Sequence, residues 1–148
     1  MSDTYIGSHS LQAALCAAGS ACKAVDIAIT STNCNVFVCA RPPGHHAGRY
    51  GRTSGCSGTG FCLLNNAAIA MVYARVRWGL ERVAVVDIDV HMGNGTSEIL
   101  KGDDRAFFAS VNDFFKHFLI SPRILIIITI LHKGSYDLRR EKSRGRKA

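Results

Sequence analysis

The sequence lacks the signals of a secreted, disulfide-bonded or membrane-spanning chain. Residues 1–10 contain neither a basic segment nor an apolar segment, so no signal peptide is predicted. No uninterrupted apolar run reaches about 18 residues, and neither a membrane span nor a membrane partner is expected. The six cysteines include no CxxC pair, which argues against a thiolate zinc site. Without a secretory signal they are predicted to be reduced thiols.

The excess of positive charge belongs to one end of the chain. The formal net charge is +7, yet residues 1–115 carry nine basic and nine acidic side chains, whereas 116–148 carry nine basic and two acidic ones. The basic pI therefore does not indicate a nucleic-acid-binding domain. The last sixteen residues show no periodicity and are predicted to be poorly ordered. A nuclear-import or nucleic-acid-binding segment in that tail is the alternative interpretation.

Hydrophobic periodicity predicts one domain in which helices and strands alternate. Apolar residues at three-to-four spacing predict helices, placed at Tyr5–Ile29, Asn65–Trp78 and a short segment from near Ser97. Short apolar runs of strand-forming residues predict buried strands, placed at 36–40, 82–86 and 106–111. This order predicts an α/β fold with a parallel sheet. A further apolar run, 124–131, is interpreted as one more buried strand or as an aggregation-prone segment.

Polar clusters follow two of these predicted strands, Arg41–His46 after the first and Asp87–His91 after the second. In parallel sheets, ligands bind beyond the carboxyl ends of the strands. In an extended segment, residues two apart point to the same side, so Asp89 and His91 face one point. A carboxylate and an imidazole are ordinary zinc ligands. The alternative is a set of loop side chains that face solvent.

The adjacent histidines His45 and His46 are the second unusual feature. Alone, two histidines in a loop rich in glycine and proline are best interpreted as solvated side chains. Beside a metal, imidazole is suited to moving protons near neutral pH. A general base also needs a polar partner on its far nitrogen, and Asp87 and Asn94 are the candidates.

Three linked motifs resemble those of one enzyme family. The segments 41–47 (RPPGHHA), 60–66 (GFCLLNN) and 86–96 (VDIDVHMGNGT) are similar, in order and spacing, to the zinc-dependent histone deacetylases. Arg-Pro-Pro at the loop start and Asn94 resemble class II members. The resemblance covers about residues 3–111 and implies a partial three-layer α/β/α domain of the arginase/deacetylase type over 1–111. Residues 112–148 are then a basic tail from outside the family.

The resemblance implies a role for each matching side chain at the metal. Asp89 and His91 are implied as two of three zinc ligands. His46 is implied as the general base that activates water at the zinc, with His45 as its electrostatic or acid partner. Asp87 is implied to orient His45.

Further roles follow from the same resemblance. Asn94 is implied to hold His46, Phe61 to form one wall of the tunnel for the acyl-lysine stem, and the Gly60 carbonyl to receive the substrate N–H. A structural monovalent cation, K⁺, is implied in a second set, which consists of Asp87, Asp89, His91 and Ser110.

The implied reaction is zinc-dependent hydrolysis of the acetyl-lysine amide, with zinc polarising the carbonyl and His46 taking a proton. The implied substrates are acetylated lysines of histones or other proteins. The resemblance also implies a corepressor complex as the partner and the nucleus or cytoplasm as the location. The implied biological roles are chromatin regulation and transcription regulation. No direct nucleic-acid site is implied. Acetylpolyamine or other small-amide deacetylation is the alternative, because the site chemistry is the same.

Departures from the family pattern are also present. Asn112 stands where the family has histidine, and Met92 where a second histidine is common. Asp137 and Glu141 lie in the basic tail and do not match the third zinc ligand, and Tyr136 is a poor match to the family's catalytic tyrosine. A truncated chain is therefore expected, and a catalytically incompetent fragment that retains zinc weakly is the competing interpretation.

The number of catalytic metals can also be judged from the sequence. Two-manganese ureohydrolases of the same superfamily use Asp-x-His-x-Asp, in which the last aspartate helps to hold the second metal. Gly93 occupies that position here and supplies no side-chain ligand. One catalytic metal is therefore favoured.

Overall fold

The computed structural model describes residues 3–110 and the strand 126–129. Helices and strands alternate along most of this length. In chain order they are α1 (Ser10–Thr30), β1 (Ala47–Gly48), β2 (Gly51–Arg52), α2 (Asn66–Trp78), β3 (Val83–Asp87), α3 (Asn94–Leu100), β4 (Ala106–Ser110) and β5 (Ile126–Thr129).

The central sheet has the order β4–β3–β5. β3 and β4 are parallel, with Val83 opposite Ala106 and Asp87 opposite Ser110. β5 pairs with the other edge of β3 in the antiparallel sense. The predicted α/β fold is confirmed, but this part of the sheet is mixed rather than wholly parallel. The carboxyl ends of β3 and β4 meet at one edge, which brings Asp87 and Ser110 together.

Capping residues fix the two ends of α2, and small side chains allow it to pack against the sheet. The Asn65 side chain accepts a hydrogen bond from the Ala68 N–H (3.0 Å) and caps the helix, and Gly79 ends it in the left-handed region at φ 67°. The buried face consists of Ala67, Ala68, Ala70, Met71 and Ala74. All of these side chains except Ala68 form a core with Val83 and Val85 of β3.

α1 packs on α2 and begins at Ser10 rather than at the predicted Tyr5. A turn precedes it, in which the Gly7 N–H donates to Ser10 Oγ (2.9 Å) and the Ser10 N–H donates to Gly7 O (3.1 Å). By length and mean hydropathy (1.4), α1 could also cross a membrane. Within the described residues 22% of this apolar stretch is buried, and α1 packs against α2 through one face. That face consists of Ala14, Ala17, Ala18 and Val25.

A hydrogen-bonded carboxylate ties α1 to α2. Asp26 Oδ1 accepts from Trp78 Nε1 (2.9 Å) and from the Tyr73 hydroxyl (2.9 Å). The Trp78 bond, followed by the Tyr73 bond, lowers the pKa of Asp26 from its ordinary value of 3.8. Both donors favour the ionised carboxylate.

We expect Asp26 to make the stability of the fold depend on pH. Because its pKa is lower in the folded chain, its contribution is fully present above pH 3.8 and is lost as the pH falls through the lowered value. Urea titrations of wild type and Asp26→Asn should therefore differ at pH 7 and converge under strong acid. An equal difference at both pH values would contradict this assignment.

Two predictions about the segment before α2 were wrong. Residues 36–40 form no strand, because a strand needs a hydrogen-bonded neighbour and no described residue pairs with them; Phe37 is 72% exposed. The glycines and prolines of residues 41–60 predict a loop, but the structure has the hairpin β1–β2 there, in which Ala47 pairs with Arg52. The predicted domain boundary at 111/112 and the predicted disordered tail lie outside the described residues.

Candidate active site

His45 and Asp87 form a buried pair at the end of β3. Asp87 is the last residue of the strand, and its Oδ2 lies 2.7 Å from His45 Nδ1. The side chains are 1% and 2% exposed, so each polar atom needs a partner. Asp87 Oδ1 has one, because it accepts the Asp89 N–H (3.1 Å). The carboxylate fixes the proton of neutral His45 on Nδ1 and leaves Nε2 facing Asp89 Oδ1, 3.8 Å away.

His46 has a different partner, the neutral side chain of Asn94. His46 Nδ1 lies 2.6 Å from Asn94 Oδ1. The same oxygen accepts the Gly95 N–H (3.1 Å), which fixes the orientation of the amide. Because an amide oxygen only accepts, the proton of His46 lies on Nδ1 and its Nε2 carries the free lone pair. The centroids of the His45 and His46 rings are 4.0 Å apart.

Asp89 and His91 are the candidate metal ligands. Asp89 Oδ1 lies 3.0 Å from His91 Nδ1. Zinc lies about 2.0–2.2 Å from each oxygen or nitrogen ligand, which puts two tetrahedral ligands about 3.4 Å apart. Asp89 Oδ1 and His91 Nδ1 are hydrogen-bonded to each other, at a separation within a few tenths of an ångström of that value. Within 3–110, no group of three or more His, Cys, Asp or Glu side chains converges on a metal position. The two donors therefore fit part of a zinc shell.

Gly93, the second residue after the Asp89-x-His91 motif, fits a site with one catalytic metal. A Cβ atom at Gly93 would overlap Asp87 Oδ2. The carboxylate that a second metal requires at this position therefore has no room unless the His45–Asp87 pair is displaced.

Ser110 supplies an unpaired oxygen on the other side of Asp87. Its Oγ is buried and has no hydrogen-bond partner among the residues that the structure describes, and the residue lies opposite Asp87 in the β3–β4 register. A buried hydroxyl without a partner is costly. An oxygen-coordinated monovalent cation bound there would supply such a partner; the K⁺ that the family resemblance implies at this position stays a prediction.

Gly60 and Phe61 form a rim beside the histidines. Both residues have positive φ, 53° at Gly60 and 66° at Phe61. A Cβ at Gly60 would overlap His46 Cδ2, so glycine is needed for the backbone to pass this ring. The Phe61 N–H donates to Thr4 Oγ1 (3.0 Å), and its ring is 58% exposed. The structure thus places Gly60 against the His46 ring and an exposed aromatic ring on the residue that follows it.

The N-terminal residues hold this rim in place. The Asp3 carboxylate accepts the N–H groups of Thr59 (3.1 Å) and Gly60 (3.1 Å). Its pKa is lowered, first by the hydrogen bond from the Thr4 hydroxyl and then by these backbone donors. An ionised Asp3 thus stabilises the backbone conformation that carries Phe61.

Comparison with known proteins gives the family. The family model described as the histone deacetylase domain matches residues 1–119. The chain belongs to the histone deacetylase domain family.

Relatives and a solved structure agree with this assignment. Type-2 histone deacetylase 2 of Dictyostelium discoideum is 54% identical over 110 residues, which are 74% of this chain and 6% of that protein. Polyamine deacetylase HDAC10 of Rattus norvegicus is 37% identical over 72% of this chain and 17% of its own length. The crystal structure of the HDA15 HD domain matches with a TM-score of 0.65 and 40% identity, over 73% of this chain and 28% of that one. The chain therefore spans less than a third of each of these three proteins.

Several side chains that support the histidines were not predicted from sequence. Asn65 Nδ2 donates to Ala47 O and to Thr96 Oγ1, both at 3.0 Å. Asn65 stands inside the motif 60–66, so the motif itself was the signal. Cys62 lies in the same motif and Thr96 in the motif 86–96. The remaining supports lie outside the three motifs and carried no sequence signal; they are Thr53, Cys56 and Glu98.

Cys62 lies directly beneath the His46 backbone. Its Sγ accepts the His46 N–H (3.4 Å), and the residue is 1% exposed. Burial raises the pKa of this thiol to about 11. Thiols react as thiolates, so Cys62 is held in an unreactive form at neutral pH.

We expect the cysteines to react with iodoacetamide in an order set by burial. In the native chain at pH 8, exposed Cys16 and Cys39 should be alkylated first and Cys62 last. Timed alkylation followed by peptide mass spectrometry measures this order, and urea-unfolded chain is the control in which the difference disappears. Rapid alkylation of Cys62 in the folded chain would contradict its burial.

Proposed function

We propose that this site belongs to a zinc-dependent protein lysine deacetylase, which hydrolyses the acetyl-lysine amide. The observation that carries the proposal is the unequal pairing of two adjacent imidazoles. His45 is paired with a buried carboxylate at 2.7 Å and His46 with a neutral amide at 2.6 Å. Beside them, Asp89 and His91 present two donor atoms 3.0 Å apart.

The unequal partners suit the two histidines to different tasks. Asn94 fixes the ring of His46 without adding charge, and leaves Nε2 as a base that can take a proton from water. Asp87 balances a positive charge on His45, so this ring can stabilise developing negative charge or return a proton to the leaving amine. Proton removal thus belongs to His46, and His45 supplies the electrostatic or acid function.

Asp89 and His91 would supply two of the zinc ligands. When bound, the ion would supply Lewis acidity toward the amide carbonyl and toward water. Asp87 and Ser110 would hold K⁺, for which the unpaired Ser110 hydroxyl is the supporting observation.

The rim would select the substrate. Phe61 carries an exposed ring one residue after Gly60, which lies against His46, and an apolar wall there suits the methylene stem of an acyl-lysine side chain. The Gly60 carbonyl would accept the substrate amide N–H. A histone or other protein lysine is therefore the proposed substrate class.

Acetylpolyamine hydrolysis is the second candidate, because one matching relative is a polyamine deacetylase. Both substrates present an acetyl amide at the end of an alkyl chain. The same pair of histidines would act on either.

An assay with both substrates tests the proposal. The full chain, loaded with Zn²⁺, is incubated with an acetylated histone peptide or with an acetylated polyamine, and released acetate is measured. The proposal expects turnover of the peptide, and a preference for the polyamine would move the function to the second candidate. No turnover of either, with His46→Ala indistinguishable from wild type, would contradict the activity and support a non-catalytic chain.

A further inference from the structure

We propose that Glu98 is a positioning residue for His46, which acts through the segment 47–56. This segment contains the β1–β2 hairpin and is called here the clamp segment. The proposal rests on the proposed function of His46 as the base. It concerns how the fold holds that ring rather than which groups touch the substrate.

Glu98 closes the clamp segment with both of its carboxylate oxygens. Oε1 accepts the Arg49 N–H (3.0 Å) in the turn between β1 and β2, and Oε2 accepts the Ser54 N–H (3.1 Å) just after β2. A Cβ at Gly48 would come within 2.5 Å of Glu98 Oε1, so the strand lies directly against this carboxylate. Arg49 adds a further bond from Nη2 to Ile99 O (3.2 Å). Bonds to a charged acceptor are stronger than neutral ones, so Glu98 fixes the hairpin to α3.

The closed clamp segment reaches the His46 backbone. The Thr53 hydroxyl donates to His46 O (2.9 Å). Thr53 is only 9% exposed and immediately precedes Ser54, which Glu98 holds. Movement of Ser54 would therefore be passed to the carbonyl of the residue that carries the base.

The same segment also reaches the His46 ring through Asn94. The Cys56 N–H donates to Thr53 O (3.2 Å), and Cys56 Sγ accepts from Asn94 Nδ2 (3.1 Å). Asn94 Oδ1 in turn holds His46 Nδ1. The clamp segment thus supports His46 at its carbonyl and, through one intermediate amide, at its imidazole.

α3 carries both ends of this arrangement. Asn94 stands at its first position and Glu98 one turn later, so one short helix holds the ring partner and the carboxylate that closes the clamp segment. Loss of the carboxylate charge should loosen the clamp segment while leaving α3 in place. The ring of His46 then becomes free to change tautomer.

The test uses Glu98→Gln in the full chain, with Glu81→Gln as a matched control at an exposed position. Glutamine accepts through only one atom, so one of the two backbone bonds is lost. We expect amide hydrogen exchange at Arg49 or Ser54 to accelerate by about tenfold or more. Ring ¹⁵N shifts of His46 should move from the Nδ1–H tautomer toward a mixture, and neither change is expected in the control.

A second pair of variants, at Thr53, tests the positioning of His46 while leaving in place the Glu98 carboxylate that holds the hairpin. Thr53→Val removes the hydroxyl donor and should move the His46 nitrogen shifts, whereas Thr53→Ser should restore them. If turnover is present, both Glu98→Gln and Thr53→Val should lower kcat with little change in KM.

The outcomes separate this proposal from the proposed function. Faster exchange at Arg49 or Ser54 with unchanged His46 ring shifts would overturn the positioning role and leave Glu98 a merely structural residue. Absence of turnover in the wild type would count against the deacetylase proposal alone, because the exchange and ¹⁵N measurements need no catalysis.

Discussion

Replacing His46 with glutamine should lower the rate of amide hydrolysis by roughly 10²–10⁴-fold, the usual contribution of a general base. Glutamine keeps a polar group near Asn94 but has no lone pair that can take a proton from water. Zinc content should stay unchanged, because the donors Asp89 and His91 are separate side chains. Steady-state rates on the acetylated peptide, with metal analysis of the same samples, measure both quantities.

His9→Gln is the matched control for this substitution. His9 is exposed at the start of α1, and no role in the site is assigned to it. Its replacement should leave the rate unchanged. Equal losses in the two variants, or a His46 variant with more than about a tenth of the wild-type rate, would remove His46 from the role of base.

Gly95→Ala should destabilise the fold by about 3 kcal/mol, at the upper end of the cost of overpacking. A Cβ at Gly95 would come within 2.5 Å of the His46 carbonyl carbon. Backbone atoms cannot move aside as a flexible side chain can. The Thr96 N–H also donates to His45 O (3.1 Å), so any shift of α3 strains the histidine pair.

Gly19→Ala is the control for the contact between a Cβ at Gly95 and the His46 backbone. Gly19 lies inside α1, and a Cβ there meets nothing within 4 Å. Alanine should stabilise the chain by about 0.5–1 kcal/mol, because glycine is the poorer helix former. Urea denaturation of both variants measures the two changes. Similar effects at positions 19 and 95 would show that α3 does not approach the His45–His46 backbone as described.

The parts of the site that lie on short motifs could be predicted from sequence. The run Asp87–His91 follows a strand whose apolar residues are contiguous, so its position at a sheet edge follows from the pattern. The structure brings this run to the two adjacent histidines, and it pairs His45 with Asp87 and His46 with Asn94. The catalytic and metal-binding roles of these residues stay predictions.

The clamp segment could not be predicted, because its contacts join residues far apart in the chain. Glu98 meets Ser54 across 44 positions, and Cys56 meets Asn94 across 38. Neither residue type signals such a partner. The hairpin in 47–52 is also only two residues long on each side, too short for periodicity to reveal.

The sequence pattern could not predict whether neighbouring strands run parallel or antiparallel. The apolar run 124–131 was interpreted as a buried strand or as an aggregation-prone segment, and β5 lies within it. An apolar run has the same composition whether its neighbour is parallel or antiparallel. Residues 36–40 have the apolar composition of a strand but form none. Apolar composition favours a strand only where a neighbouring strand is available to pair with it.

Zinc titration tests the central claim, that Asp89 and His91 are metal ligands beside the two histidines. Metal-free full chain is titrated with Zn²⁺ and compared with Asp89→Asn, His91→Gln and the exposed control Asp104→Asn. We expect one site per chain, an affinity more than about 100-fold weaker in each ligand variant, and no change in the control. Equal zinc affinity in the wild type and both ligand variants would contradict the account.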